Sequence, residues 1–183
     1  MNIWLTADYH LGHFNIISYT NRPFNSLEQM NQTIISNHNE RVKPGDLVIH
    51  NGDFCFKGTP GSKPGEGIIV TAKEWESQLN GKILFIQGNH DKNNSAKTPI
   101  QGMLVEMGGY KIWITHNPNN FNKNYPINFV GHVHDKWKFS SVETKDRGTV
   151  YLVNVGVDVW NFRPVSINEI LEGLTQWKKI HHS

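Results

Sequence analysis

Short apolar runs recur along this chain, and polar residues follow each of them. The runs are rich in Ile, Leu and Val and only a few residues long, which is typical of buried strands. Two of them flank Gly108-Gly109, a pair that favours a tight hairpin turn. The predicted strands are Asn2–Thr6, Asp46–His50, Lys82–Gln87, Met103–Met107, Tyr110–Thr115, Ile127–Val130 and Thr149–Val155.

Three capping boxes mark the predicted helices, since each places a Ser or Thr three residues before a Gln or Glu. The boxes are Ser26–Gln29, Thr71–Glu74 and Ser166–Glu169, and their helices are expected to end near Val42, Asn80 and Trp177. The resulting order is strand–helix–strand–helix–strand, followed by a mainly β half. This order predicts an α/β (α+β) fold, with residues 1–183 as a single domain.

Composition narrows the class of protein. The 183 residues are 37% hydrophobic and 19% charged, which is an ordinary globular balance. A net charge of +2 is too small to indicate a nucleic-acid or membrane partner by itself. A single cysteine excludes an intrachain disulfide, and no apolar run is long enough to span a membrane. We therefore expect a cytoplasmic monomer or homodimer without a membrane partner.

Polar clusters follow the ends of five apolar runs. In α/β sheets, sites lie outside the carboxyl ends of strands, so we expect these clusters to meet in space. Within the first, Asp8 and His10 would face the same side of an extended segment. Each pair alone is more often a surface or capping pair, but five in this placement favour a metal site. The clusters are Asp8-Tyr9-His10, Gly52-Asp53, Gly88-Asn89-His90-Asp91, Thr115-His116 and Gly131-His132-Val133-His134.

Together the clusters offer three oxygen-type and four imidazole ligands, enough for two divalent ions. Two such ions can clamp a phosphoryl group, and a water between them would be the nucleophile. His90 could then protonate the leaving oxygen as general acid, with Asp91 accepting its other ring N–H. The candidate ligands are Asp8, His10, Asp53, Asn89, His116, His132 and His134.

This series of motifs resembles that of the calcineurin-like metallophosphoesterase superfamily: Asp-x-His, Gly-Asp, Gly-Asn-His-Asp/Glu, His and Gly-His-x-His. The resemblance implies a two-sheet β sandwich flanked by helices, with a dinuclear metal site at the strand ends. It also implies that His90 is the catalytic histidine. By resemblance, one metal takes Asp8, His10, Asp53 and His134, and the other takes Asp53, Asn89, His116 and His132.

The motifs also separate branches of that superfamily. The protein Ser/Thr phosphatases usually read Gly-Asp-x-x-Asp-Arg-Gly at the second motif, whereas here the stretch from Gly52 to Gly58 lacks the second Asp and the Arg. The third motif ends in Asp91 where that branch has Glu. The stretches Leu11–Phe24 and Asn154–Val165 instead resemble a small bacterial and phage branch.

Further residues are candidates for substrate contact or support. The predicted loop Leu11–Asn25 holds His13 and Arg22, and Arg can hold a phosphate bidentately. Arg22 could instead pair with a carboxylate to fix the loop. Asp158 could support a ligand histidine or cap the turn before the last helix. The Gly- and Pro-rich stretch Lys57–Gly67 could be a lid over the substrate or a solvated connector.

The expected function is metal-dependent hydrolysis of phosphomonoesters or phosphodiesters by attack of a metal-bridging water. Mixed nitrogen and oxygen ligands suit Mn, Fe, Zn or Ni, with Mn favoured, better than Mg or Ca. The expected substrate is a small phosphoester or nucleotide, since the low net charge disfavours long nucleic acid. The competing hypothesis is a non-catalytic scaffold of the same fold, but such proteins lose catalytic groups that this chain retains.

Overall fold

Two β-sheets form the centre of the molecule. The computed structural model describes residues 1–56, 70–91 and 98–181, and the stretch Lys57–Gly67 lies outside them. One sheet has the order β3-β2-β1-β9 and the other the order β4-β5-β6-β8-β7. The strands are β1 (Ile3–Thr6), β2 (Leu47–Asn51), β3 (Lys82–Ile86), β4 (Gly102–Met107), β5 (Tyr110–Thr115), β6 (Ile127–Val130), β7 (Phe139–Thr144), β8 (Gly148–Asn154) and β9 (Val165–Ser166).

The two sheets face each other across one apolar cluster, and helices cover the outer side of the first sheet. That cluster joins Ile49 of the first sheet to Phe129 of the second and includes Ile170 of the last helix. A second cluster joins Met30 and Trp75 to the outer side of the first sheet. This is the predicted two-sheet sandwich. The helices are α1 (Ile16–Tyr19), α2 (Leu27–Arg41), α3 (Ala72–Glu76) and α4 (Ile167–His181).

Parallel pairing brings the polar clusters to one end of the sandwich. Strands β1, β2 and β3 are mutually parallel, with Thr6 opposite His50 and Asn51 opposite Ile86. Strands β5, β6 and β8 are parallel in the second sheet. An isolated bridge from Ala7 to Gly156 joins the segments that follow β1 and β8. The carboxyl ends of six strands therefore deliver their following residues to a common region.

All three predicted caps are present. The Ser26 hydroxyl accepts from the Gln29 N–H at 3.1 Å, and Thr71 and Glu74 form a reciprocal box. Ser166 and Glu169 bond in the same reciprocal way, since the Ser166 N–H donates to the Glu169 carboxylate at 2.9 Å. These caps satisfy backbone donors that helix starts leave unpaired.

Several boundaries differ from the sequence prediction. Helix α3 ends at Glu76 rather than near Asn80, since the next backbone bonds close shorter turns and Asn80 bonds back to Asn39 and Val42. Helix α1 occupies one turn of the predicted loop, and α4 continues to His181. Strands β7 and β9 were not predicted; β7 forms a hairpin with the adjacent β8, and β9 pairs with the distant β1. Within the described residues, no helix has the length and apolarity to cross a bilayer.

Candidate metal centre

The structure brings all seven predicted ligands together at one end of the sandwich. Each comes from a segment that directly follows a strand. Asp8 and His10 follow β1, Asp53 follows β2, Asn89 follows β3, His116 follows β5, and His132 and His134 follow β6.

Six of these side chains form two groups, each of which could hold a metal ion. The Asp8 group is Asp8, His10 and His134, and the Asp53 group is Asp53, His116 and His132. Within each group the ligand atoms lie within 4.8 Å of one another. The division is the one that the family resemblance implies. Carboxylate and imidazole donors of this kind suit divalent transition metals.

The Asp53 carboxylate lies between the two groups. Its Oδ2 is 3.5 Å from Nε2 of His10 and 3.3 Å from Nε2 of His116. Its Oδ1 accepts the backbone N–H of His90 at 2.9 Å. One oxygen is thus held by the backbone while the other faces a histidine from each group, which is the geometry expected of a bridging carboxylate.

Asn89 places a neutral oxygen beside the Asp53 group. Its Oδ1 lies 3.1 Å from Nε2 of His116 and 2.8 Å from Nδ1 of His132. The side-chain oxygen is therefore directed at the same point as the two imidazoles, as predicted for a ligand of that group.

Five of the predicted ligands have a left-handed backbone. Their φ values are 58° for Asp8, 50° for His10, 56° for Asp53, 71° for His132 and 51° for His134. Few non-glycine residues adopt this conformation, which costs about 1–3 kcal/mol each and clusters at functional sites. The expected extended Asp8–His10 segment is therefore wrong. Both residues turn inward through left-handed backbone rather than through strand alternation.

Backbone bonds between the segments hold these conformations. The Asp8 N–H donates to the Gly52 carbonyl and the His10 N–H to the Asp53 carbonyl, each at 3.0 Å. The His132 N–H donates to both oxygens of Asp8, at 3.1 and 3.0 Å. The segments after β1, β2 and β6 therefore fix one another.

Gly52, directly before Asp53, allows the His116 side chain that follows β5 to approach closely. Gly52 has φ +88°, and a Cβ there would overlap the His116 ring. A Cβ on Gly88 would likewise overlap the Asp53 carboxylate. Glycine is required in both motifs because the adjoining side chains occupy the space of a Cβ.

The histidines direct ring nitrogens at the two candidate sites. Nδ1 of His116 lies 2.7 Å from the Asn51 carbonyl, and Nδ1 of His134 lies 3.3 Å from Oδ2 of Asp158. Nε2 is thus the remaining nitrogen of each ring, and that of His116 faces the oxygens of Asn89 and Asp53. Both ring nitrogens of His10 are buried without a hydrogen-bond partner among the described residues. Buried polar atoms of this kind are costly, and a bound cation would satisfy them.

Burial and neighbouring charges shift the pKa values of side chains in the two groups. Burial raises the pKa of Asp8 to about 6, against the charges of His116 and His134. Burial alone would lower the pKa of His116, but the bond to Asp53 and the charges of Asp8 and Asp53 raise it to about 9. Burial lowers the pKa of His10 far below its ordinary value, and nearby Arg22 adds to this. Cations would compete with a proton on His116 but not with one on His10.

Arg22 is a structural residue, and the prediction that it contacts substrate is wrong. The residue is 4% exposed and is enclosed by its own partners. Its guanidinium donates to Asp158 at 2.8 and 3.0 Å, and to the carbonyls of Tyr9 at 3.0 Å and Asp8 at 2.6 Å. The alternative, pairing with a carboxylate to fix the loop, describes what the structure contains.

Asp158 supports a predicted ligand. Its carboxylate binds Arg22 and lies 3.3 Å from Nδ1 of His134, and no side-chain cap bond starts the short 3₁₀ helix Val157–Val159. Of the two roles considered for Asp158, support of a ligand histidine matches these contacts, and the cap does not. Two buried amides were missed by sequence reasoning: Asn51 donates to the Thr115 carbonyl, and Asn154 donates to the His134 carbonyl. The signal for both is a polar residue closing an apolar run.

Asp91 holds the loop around Asp53. Its carboxylate accepts the N–H groups of Asp53 at 2.9 Å, Phe54 at 3.1 Å and Gly88 at 2.7 Å. These bonds differ from the predicted pairing with the ring of His90. Asp91 thus acts on the position of the central carboxylate through the backbone.

His90 and His13 border the Asp8 group. The ring centre of His90 is 5.2 Å from that of His10, and the ring centre of His13 is 5.6 Å from His10 and 5.9 Å from His90. The His13 ring stacks on Phe56 with centres 4.6 Å apart. Burial lowers the pKa of His13 to about 4, with a smaller effect from His90. His13 is therefore a neutral imidazole at pH 7.

The profile of the calcineurin-like phosphoesterase superfamily domain matches residues 1–164. The chain belongs to this superfamily. Like other calcineurin-like phosphoesterases, it is expected to bind divalent metal ions, and the two groups described above are candidate sites for them.

The alignments with relatives of this calcineurin-like chain cover nearly its whole length. It is 35% identical, over 187 aligned positions, to the uncharacterised protein MJ1445 of Methanocaldococcus jannaschii, covering 97% of this chain and 94% of that protein. Among solved structures, a protein of unknown function, AQ665 from Aquifex aeolicus, has a TM-score of 0.63 at 19% identity, covering 93% of this chain and 97% of the other. That similarity concerns the fold. Vps29 of Chaetomium thermophilum has a TM-score of 0.46 at 10% identity, covering 92% of this chain and 76% of its own.

Proposed function

We propose that this chain hydrolyses small phosphomonoesters or phosphodiesters with one divalent transition-metal ion in each group. The observation that carries the proposal is the position of the Asp53 carboxylate between the Asp8 group and the Asp53 group. Two bound ions would neutralise the phosphoryl charge and supply an activated water for in-line attack. Mixed nitrogen and oxygen ligands favour Mn, Fe, Zn or Ni, with Mn first.

In this proposal His90 protonates the leaving oxygen. Its backbone N–H is fixed on Asp53, and its ring lies beside His10 at the edge of the centre. Asp91 positions the Asp53 carboxylate through the backbone. His13, neutral and next to His90, is a substrate contact that offers a hydrogen bond without a charge. The scaffold hypothesis requires the loss of such groups, whereas the chain keeps them all. We further propose cytoplasmic action as a monomer or homodimer.

His90→Ala tests the enzymatic proposal. General acid catalysis is typically worth about 10²–10⁴ in rate and matters less for acidic leaving groups. The variant should lose that much kcat on an alkyl or nucleoside phosphoester and far less on a nitrophenyl ester, after reconstitution with Mn²⁺. Elemental analysis should show the same metal content as the parent.

Two outcomes contradict this assignment. Equal rates of parent and variant on both ester types would show that His90 is not the acid. Loss of metal would make it a ligand. A parent that retains metal but cleaves neither monoesters nor diesters would support the scaffold.

A further inference from the structure

A polar cavity of about 250 Å³ adjoins the Asp53 group and shares Asn89 and His116 with it. It lies between the ends of β3 and β5, the start of β4 and the 3₁₀ helix Pro118–Asn120. A water molecule occupies about 30 Å³ in the liquid, so the cavity has room for a ring-sized group. A phosphoryl group held between the two metal groups would therefore have its ester substituent within reach of this space.

Side-chain amides dominate the lining. Gln87, Gln101, Asn117 and Asn120 contribute to it, together with Thr115. Lys, Arg, Asp and Glu are absent from the described lining. No lysine or arginine is therefore present in that described lining to pair with a second phosphate or a carboxylate, no acidic side chain is present to pair with an ammonium, and an alkyl chain would leave the amides unpaired.

Three of these amides are available to a ligand. The bonds described for Gln87, Gln101 and Asn120 use backbone atoms, so in the described part of the chain their side chains have no partner. Each amide both donates and accepts, as a hydroxyl does. His116, already a predicted ligand, is the only aromatic ring of the described lining, so the cavity lacks a stacking surface for a nucleobase.

Backbone hydrogen bonds hold the walls of the cavity in place. The Gln87 N–H donates to the Ile100 carbonyl at 2.7 Å, and the Asn120 N–H donates to the Asn117 carbonyl at 2.9 Å. The Asn117 side chain caps the 3₁₀ helix by accepting the Asn119 N–H at 2.9 Å. The backbone of the site is thus fixed before a ligand binds, so only the amide side chains have to be ordered.

We propose that this cavity binds the sugar of the substrate, a proposal that rests on the function proposed above. The natural substrate is then a sugar phosphate, or a nucleotide held by its ribose. The shared chemistry is a ring of hydroxyl groups that exchange hydrogen bonds with Gln87, Gln101 and Asn120.

A double variant, Gln101→Leu with Asn120→Leu, tests the proposal, because both residues are exposed and tolerate substitution. With Mn²⁺ present, kcat/KM for ribose 5-phosphate, glucose 6-phosphate and adenosine 5′-monophosphate should fall about tenfold, since the variant removes two hydrogen-bonding side chains from the cavity. Cleavage of 4-nitrophenyl phosphate should stay within about twofold of the parent, because its leaving group offers the cavity no hydroxyl. Gln176→Leu, an exposed amide on α4, is the matched control and should change neither.

Binding measured by NMR separates this proposal from the enzymatic one. The side-chain amide signals of Gln101 and Asn120, identified by their loss in the Leu variants, should shift with ribose 5-phosphate and not with inorganic phosphate. Such shifts support the sugar site even if the parent cleaves no ester, an outcome that would refute only the proposed function.

The pattern of activity loss shows whether the bound sugar belongs to a nucleotide or to a free sugar phosphate, or contradicts the proposal. Loss confined to adenosine 5′-monophosphate assigns the cavity to the ribose of a nucleotide, and loss confined to the sugar monophosphates assigns it to free sugar phosphates. An equal loss on the nitrophenyl ester, unchanged rates on all three sugar esters, or unshifted amide signals would overturn the proposal.

Discussion

The two metal groups are built alike but supported differently. In the Asp8 group, His134 lies beside the Asp158 carboxylate, which itself binds the buried guanidinium of Arg22. In the Asp53 group, His116 lies against the neutral carbonyl of Asn51, and the amide of Asn89 completes the set. The support of His134 depends on a buried ion pair, in which loss of one partner leaves the other charge unpaired. The support of His116 by a backbone carbonyl involves no such pair. The two candidate sites should therefore be weakened by different substitutions, even though both face the Asp53 carboxylate.

Asp53→Asn should have the largest effect, because this side chain faces both groups. Loss of a partner outside the ligands typically costs 10–100-fold in metal affinity, so loss of the shared carboxylate should cost more than about 100-fold at each site. Calorimetric titration with Mn²⁺ measures both affinities. His10→Ala should weaken only one of them. A double loss in His10→Ala, or a single loss in Asp53→Asn, would break the assignment of Asp53 as the bridge.

Asp158→Asn should weaken one site only. It removes the charge that faces His134 and Arg22, so the affinity of the Asp8 group should fall by about 10–100-fold while the Asp53 group keeps its own. The matched control is Asp146→Asn, whose carboxylate forms an exposed pair with Lys123. Equal weakening of both sites would mean that the groups share their support, contrary to the comparison.

The smallest expected effect is a fall in the Tm of the metal-free protein between pH 7 and 9. His116 has a raised folded pKa of about 9, so its protonation stabilises the fold fully below the unfolded pKa of about 6.5. This stabilisation disappears as the pH rises through 9. Thermal melts in EDTA should therefore show a falling Tm over this range, and His116→Gln should flatten the trend. A Tm that rises with pH in the parent would contradict the ion pair between His116 and Asp53.

The strand ends and the gathering of the candidate ligands beyond them were predictable from the sequence, but the partners of the supporting residues were not. Motif spacing identified residues such as Asp8 and His134 because short-range patterns place them after strands. The partner of Arg22 could not be read in this way, since Asp158 lies 136 positions away in the sequence. Strand β7 was missed because it is only partly buried and its polar residues Ser140, Ser141 and Glu143 interrupt any apolar alternation; its pairing with β8 identifies it. Tertiary contacts decide such features, and local sequence carries little trace of them.

The left-handed backbone at five predicted ligands limits how this centre could be redesigned. Asn, Asp and His are the non-glycine residues that adopt this conformation most readily, and they are also oxygen and nitrogen donors. Replacing Asp8 or His132 with Cys, to attract softer metals, would place a residue less suited to positive φ where neighbouring segments allow no adjustment. The backbone thus selects its metals indirectly, through the side chains that it can accept.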